Sequence, residues 1–64
     1  MRVNGDDVKL GSECTLKSFI DSEGYDIKRV AVERNGEIVP KTHYETVVLN
    51  DGDCLEIVAF IGGG

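Results

Sequence analysis

Two Asn-Gly pairs, Asn4-Gly5 and Asn35-Gly36, interrupt short apolar–polar alternations in a chain of 64 residues. Asn-Gly suits the two-residue type I′ turn, in which both central residues take positive φ and the chain returns antiparallel to itself. The first pair, within Asn4-Gly5-Asp6-Asp7, separates Met1 to Val3 from Val8 to Leu10 and predicts a hairpin of two short strands. The second, within Arg34-Asn35-Gly36-Glu37, separates a strand at Val30 to Glu33 from another at Ile38-Val39, which Pro40 terminates by removing a backbone donor. Between the hairpins, Leu16, Phe19 and Ile20 fall at i, i+3 and i+4, the spacing of one helix face. Thr15 is placed to cap the first turn of that helix, and Gly24 to end it in the left-handed region.

Lys41 to Thr46 is polar and reads as a turn of helix or an irregular loop, with Tyr44 as its large anchor onto the core. Asn50-Asp51-Gly52-Asp53 is a turn leading into a closing strand, Cys54 to Ile61. Strand alternation puts Leu55, Ile57 and Ala59 on one face, and Cys54, Glu56, Val58 and Phe60 on the other. The order strand, strand, helix, strand, strand, strand gives an α+β domain, a mixed sheet of four to five strands packed on one short helix. Its last strand is expected in the middle. A single helix covers one face of the sheet and leaves the other partly bare.

A domain of this size buries only roughly 60% of the surface its unfolded chain exposes, which leaves one thin core. Walls for a catalytic pocket usually come from two or more layers, so a binding or carrier role is favoured over an enzyme. No nucleophile, base and oxyanion donors converge in the pattern, and His43 reads as a solvated loop residue. The net charge is −5, with Asp6, Asp7, Asp21, Glu23, Asp26, Asp51 and Asp53 read as solvated acid spread over the loops. Such a surface disfavours nucleic acid and steers the chain toward a partner with a basic cleft. Cys14 and Cys54 are read as reduced thiols, and one histidine with no CxxC spacing leaves a metal site without ligands. The opening Met1-Arg2-Val3 is strand-like rather than signal-like, and no apolar run approaches membrane-spanning length. A cytoplasmic chain, monomeric when isolated and away from membranes, is expected.

The sequence closes on Phe60-Ile61-Gly62-Gly63-Gly64, a strand that runs into three glycines. Glycine weakens a strand, so folding gives no reason for the run. Without Cβ atoms it can thread a narrow channel and present the terminal carboxyl carbon to attack. The expected division is a folded domain over 1–61 and a flexible tail over 62–64, with Gly64 as the modified group and Gly62 and Gly63 as the thread. Val58 and Phe60, on the face away from the helix, and Ile61, at the root of the tail, are the candidate partner-binding residues.

Val32-Glu33-Arg34-Asn35-Gly36-Glu37-Ile38-Val39-Pro40, Asp51-Gly52-Asp53, Leu55-Glu56-Ile57-Val58 and the glycine end occur together in one order. With Thr15-Leu16 at the helix start, they resemble the ThiS family of sulfur carriers, within the ThiS/MoaD group of ubiquitin-like β-grasp proteins. Phe60 stands where many members carry a smaller residue, and Tyr44 where some carry tryptophan. The resemblance covers essentially the whole chain and implies a ubiquitin-like β-grasp fold. It further implies a chain that catalyses nothing and binds no cofactor itself. On the same resemblance, a ThiF-like adenylating enzyme, using ATP and magnesium, is expected to activate the Gly64 carboxylate, a persulfide sulfur donor system to convert it to a thiocarboxylate, and a ThiG-like thiazole synthase to accept the sulfur in thiamine biosynthesis. A MoaD-like carrier for molybdopterin or another pathway, and a noncatalytic ubiquitin-like adapter or modifier, are the alternatives.

Overall fold

Both Asn-Gly pairs make the turns their chemistry predicts: φ is +51° at Asn4 and +87° at Gly5, and +53° at Asn35 and +86° at Gly36. Positive φ at both central positions matches the right-handed twist of the flanking strands, so each turn sets the register of its hairpin. The computed structural model describes residues 1–60. In it, β1 (Arg2–Val3) and β2 (Asp6–Asp7) flank the first turn, with Arg2 opposite Asp7 and Val3 opposite Asp6. The second strand therefore begins directly after Gly5 and not at Val8 to Leu10. A two-residue turn leaves no slack, and only the Val8 N–H still reaches back, to the Met1 carbonyl at 2.8 Å.

The helix α1 spans Leu16–Ser22, and the Thr15 side chain accepts from the Ser18 N–H as the expected cap. Gly24 follows it at φ +83°. Strands β3 (Val30–Arg34) and β4 (Glu37–Ile38) flank the second turn, each placed about a residue from its sequence-based bounds. A single-turn 3-10 helix over Ile27–Arg29, absent from the sequence reading, is capped by the Asp26 carboxylate accepting from the Lys28 N–H. The polar loop after Pro40 contains a second one over Lys41–His43. The last strand, β5 (Cys54–Ala59), lies in the middle of the sheet, whose order is β2-β1-β5-β3-β4. It runs parallel to β1 and antiparallel to β3.

Leu16, Phe19 and Ile20 of the helix pack against Val3, Val30, Val32, Leu55 and Ile57 of the sheet, with Tyr44 and Leu49 completing the buried cluster. Tyr44 is 1% exposed, so the polar loop is pinned by the predicted anchor. Full burial of side chains of this kind is worth about 1.5–3 kcal/mol each before conformational entropy is subtracted. All of that gain lies on one side of the sheet. The opposite face contributes almost nothing to it.

Candidate functional site

Central placement gives β5 support from both flanks: β3 pairs along Leu55 to Ala59, while β1 pairs at Cys54 and Leu55. Its hydrogen-bonding pattern follows from the register. Even-numbered residues bond toward β3: the Asn35 N–H reaches the Cys54 carbonyl at 2.8 Å, and the Phe60 N–H reaches the Arg29 carbonyl at 2.7 Å. Phe60, one residue past the strand, is thus still fastened to the residue that leads into β3, immediately before residues 61–64.

Val58 and Phe60 are each 57% exposed, on the face opposite the helix, as the alternation predicts. Val58 lies opposite the half-buried Ala31 of β3. Further along the same face, Glu56 lies opposite Glu33, which pairs in turn with Ile38, 77% exposed. Like charges directly across a sheet disfavour folding, and exposed apolar neighbours contribute little to it. The face therefore combines apolar and acidic character without serving the core. Ile61, Gly62, Gly63 and Gly64 lie outside the described residues, as does the boundary between a 1–61 domain and a 62–64 tail.

Two features of the site were not read from the sequence. Asp53 is buried, 6% exposed, and not the solvated loop acid expected. Its Oδ2 accepts from Arg34 Nε and from the Asn50 N–H, both at 2.9 Å, and its Oδ1 from Asn35 Nδ2 at 3.1 Å. Burial pushes the Asp53 carboxyl up, but the Asn50, Asn35 and Arg34 donors outweigh it and hold the group below its ordinary value. Asn35 Oδ1 accepts from the Cys54 N–H at 2.9 Å. The two side chains thus clamp the β3–β4 turn to the start of β5 and fix where the central strand begins. An Asp-Gly-Asp turn immediately before a strand, with Arg-Asn across the sheet, is the available signal.

Asn4 is the second. In its left-handed turn conformation it cannot extend β1, yet its Oδ1 accepts from the Ile57 N–H at 2.7 Å and its Nδ2 donates to the Ile57 carbonyl at 3.2 Å. One side chain supplies the donor and acceptor that another strand residue would have supplied. Ala59 shares the helix-side face with Leu55 and Ile57 but is exposed.

Cys14 and Cys54 are free thiols, the first half-buried and the second exposed. His43 is exposed. Among the described residues, no group of three or more His, Cys, Asp or Glu side chains comes together to hold a metal, and no helix is long and apolar enough to cross a membrane.

A search of solved structures finds the ThiS thiamine biosynthesis protein of Geobacter metallireducens, at a TM-score of 0.81 and 27% identity over 98% of this chain and 96% of that one. The fold is thereby the ubiquitin-like β-grasp that the sequence implied. The sulfur carrier protein ThiS of Bacillus subtilis (strain 168) is 43% identical over 65 aligned positions, covering 100% of this chain and 98% of that one. A thiazole synthase of Paramagnetospirillum magneticum is 52% identical over 62 residues, which are 97% of this chain but 19% of that protein. The chain thus spans about a fifth of that relative and nearly the whole of the Bacillus carrier. The ThiS family model matches residues 1–64, and the chain belongs to that family.

Proposed function

We propose that this chain is the sulfur carrier of thiamine thiazole biosynthesis and acts as a cytoplasmic protein cosubstrate, not as an enzyme. The observation that carries the reading is full-length similarity to the Bacillus sulfur carrier, on a fold whose central strand leads to Phe60, still bonded to the Arg29 carbonyl just before β3, four residues before the end of the sequence, Ile61-Gly62-Gly63-Gly64. Presence of the same domain within a thiazole synthase favours thiazole over molybdopterin as the destination of the sulfur.

In this mechanism the Gly64 carboxylate oxygen attacks the α-phosphorus of magnesium-bound ATP in a ThiF-like enzyme, and pyrophosphate leaves. The mixed anhydride converts a poor acyl donor into a good one, because AMP is a far better leaving group than oxide. A persulfide from the donor system attacks the acyl carbon and displaces AMP, and a thiol then cleaves the sulfur–sulfur bond to leave the thiocarboxylate. The carboxyl carbon stays accessible because Gly62 and Gly63 carry no side chains. Three extended residues reach roughly 10 Å, enough to carry that carbon into a partner's channel while the folded body stays outside. Val58, Phe60 and Ile61 form the apolar part of the docking face, and Glu33 and Glu56 its acidic part. A ThiG-like synthase receives the sulfur.

Intact-protein mass spectrometry tests the reading after incubation with a ThiF-like enzyme, magnesium-ATP and a persulfide source. A mass gain equal to sulfur replacing oxygen is expected in the wild type and not in a chain lacking Gly64. Absence of that gain with several competent activating enzymes, or a covalent adduct to a target lysine in its place, overturns it.

A further inference from the structure

The side of β5 that faces β1 is closed rung by rung and then stops. The Arg2 N–H donates to the Asp53 carbonyl at 3.0 Å and the Asn4 N–H to the Leu55 carbonyl at 2.9 Å. The next rung, Ile57, is filled by the Asn4 side chain. The rung after that is Ala59. As the next odd-numbered residue of the strand, it turns its N–H and C=O to this same side, and the positive φ of Asn4 and Gly5 takes the chain away before it can reach them. No described residue pairs with Ala59 there. Its side chain is exposed and is a single methyl group, so nothing bulky shields the rung.

An open donor–acceptor pair at the end of a central strand is a template for an added strand. Resting on the carrier reading above, we propose that an extended backbone segment of the activating enzyme pairs with the Ala59 N–H and C=O and continues the sheet beside the root of the tail. Glycine residues cannot fix their own position by side-chain contact, and the in-line attack at phosphorus requires a fixed carboxylate. A partner strand laid in the row that β1 and Asn4 vacate would sit about 4.8 Å from β5 and hold the last folded rung as the tail leaves it. The sheet face carrying Val58 and Phe60 is perpendicular to this flank. The two contacts are therefore separable, one reading side chains and the other backbone.

Amide hydrogen exchange in the ¹⁵N-labelled chain, free and saturated with a ThiF-like enzyme, reads the rung directly. In the free chain the Ile57 and Phe60 amides are expected to be protected and the Ala59 amide between them open; in the complex Ala59 should slow at least tenfold. A59P supplies the second readout. It removes a donor that bonds to no described residue, so the melting temperature should stay within a few degrees of wild type while affinity for the enzyme falls at least tenfold. Unchanged exchange at Ala59 in a complex whose wild-type tail gains sulfur overturns the added strand and leaves the carrier reading standing. Slowed exchange without a mass gain supports the strand while removing the carrier reading. Failure to form any complex overturns both.

Discussion

Replacing Asp53 by Asn tests whether the buried carboxylate clamp governs stability. Three donors converge on two oxygens: Arg34 Nε and the Asn50 N–H on Oδ2, and Asn35 Nδ2 on Oδ1. An amide of the same shape has one acceptor and one donor end. With its oxygen at the Oδ2 position, the new NH2 group faces Asn35 Nδ2; with the oxygen at Oδ1, two donors are opposed. Asn35 cannot turn over to help, because its own Oδ1 holds the Cys54 N–H. Leaving a buried donor unpaired and removing a charge-assisted bond should cost about 2 kcal/mol, discounted because the Arg34 side chain retains 29% exposure to water. For a domain of this size that corresponds to a melting temperature lower by about 8–16 °C. The sign of the pH dependence is fixed as well. Asp53 has its folded-state value below the ordinary 3.8, so its contribution is complete above the unfolded value and disappears as pH falls through the folded one. Urea unfolding of both proteins, followed by circular dichroism from neutral pH to about pH 2, should show the gap closing in acid. A D53N protein within 0.5 kcal/mol of wild type at neutral pH, or a gap that persists unchanged at the acid end, would refute the clamp.

Thr15→Ala removes the side-chain cap of α1 and should cost about 1 kcal/mol in the same unfolding assay, because the Ser18 N–H loses its acceptor. Val58→Asp, on the bare face, should leave stability within about 0.5 kcal/mol while weakening affinity for the activating enzyme at least tenfold by calorimetry. Gly63→Val should melt as wild type and fail to gain sulfur by mass spectrometry, since the branched side chain obstructs the channel; normal sulfur gain would remove the threading argument. Asn4→Ala strips the Ile57 N–H and C=O of their partners and puts alanine, which tolerates positive φ less well than asparagine, in the turn, so a loss of about 2 kcal/mol is expected, together with faster exchange of the Ile57 amide.

The elements most legible in the sequence are those set by short-range chemistry. Asn-Gly at 4–5 and 35–36, Thr15 before an i, i+3, i+4 apolar face, and the alternation through Leu55 and Ile57 each depend on neighbours a few residues away, and each appears as expected. Strand bounds were less accurate because they depend on the partner strand: β2 starts where the turn delivers it, at two aspartates with little strand propensity, not where apolar residues resume. Asp53 and Asn4 were illegible for a stronger reason. Their roles are defined across sequence separations of 19 residues to Arg34 and 53 residues to Ile57, and a turn residue read locally is only a turn residue.

The same separation explains how so small a chain can be a stable fold and still leave one sheet face free of any part in its core. Sequence-distant polar clamps, Asp53 at the start of β5 and Asn4 near its end, fix the central strand without using the face that carries Val58, Glu56 and Glu33. Substitution on that face therefore has almost no folding cost to set against it, and loss of a clamp displaces the strand that carries the tail. Affinity for the partner and stability should then vary independently across face variants, and fall together across clamp variants. A clamp variant such as D53N, held at a temperature where it remains fully folded, should still show reduced affinity, because the clamp sets where β5 begins. Affinity restored to the wild-type value under those conditions would show that the clamp only keeps the chain folded and would refute its role in positioning β5.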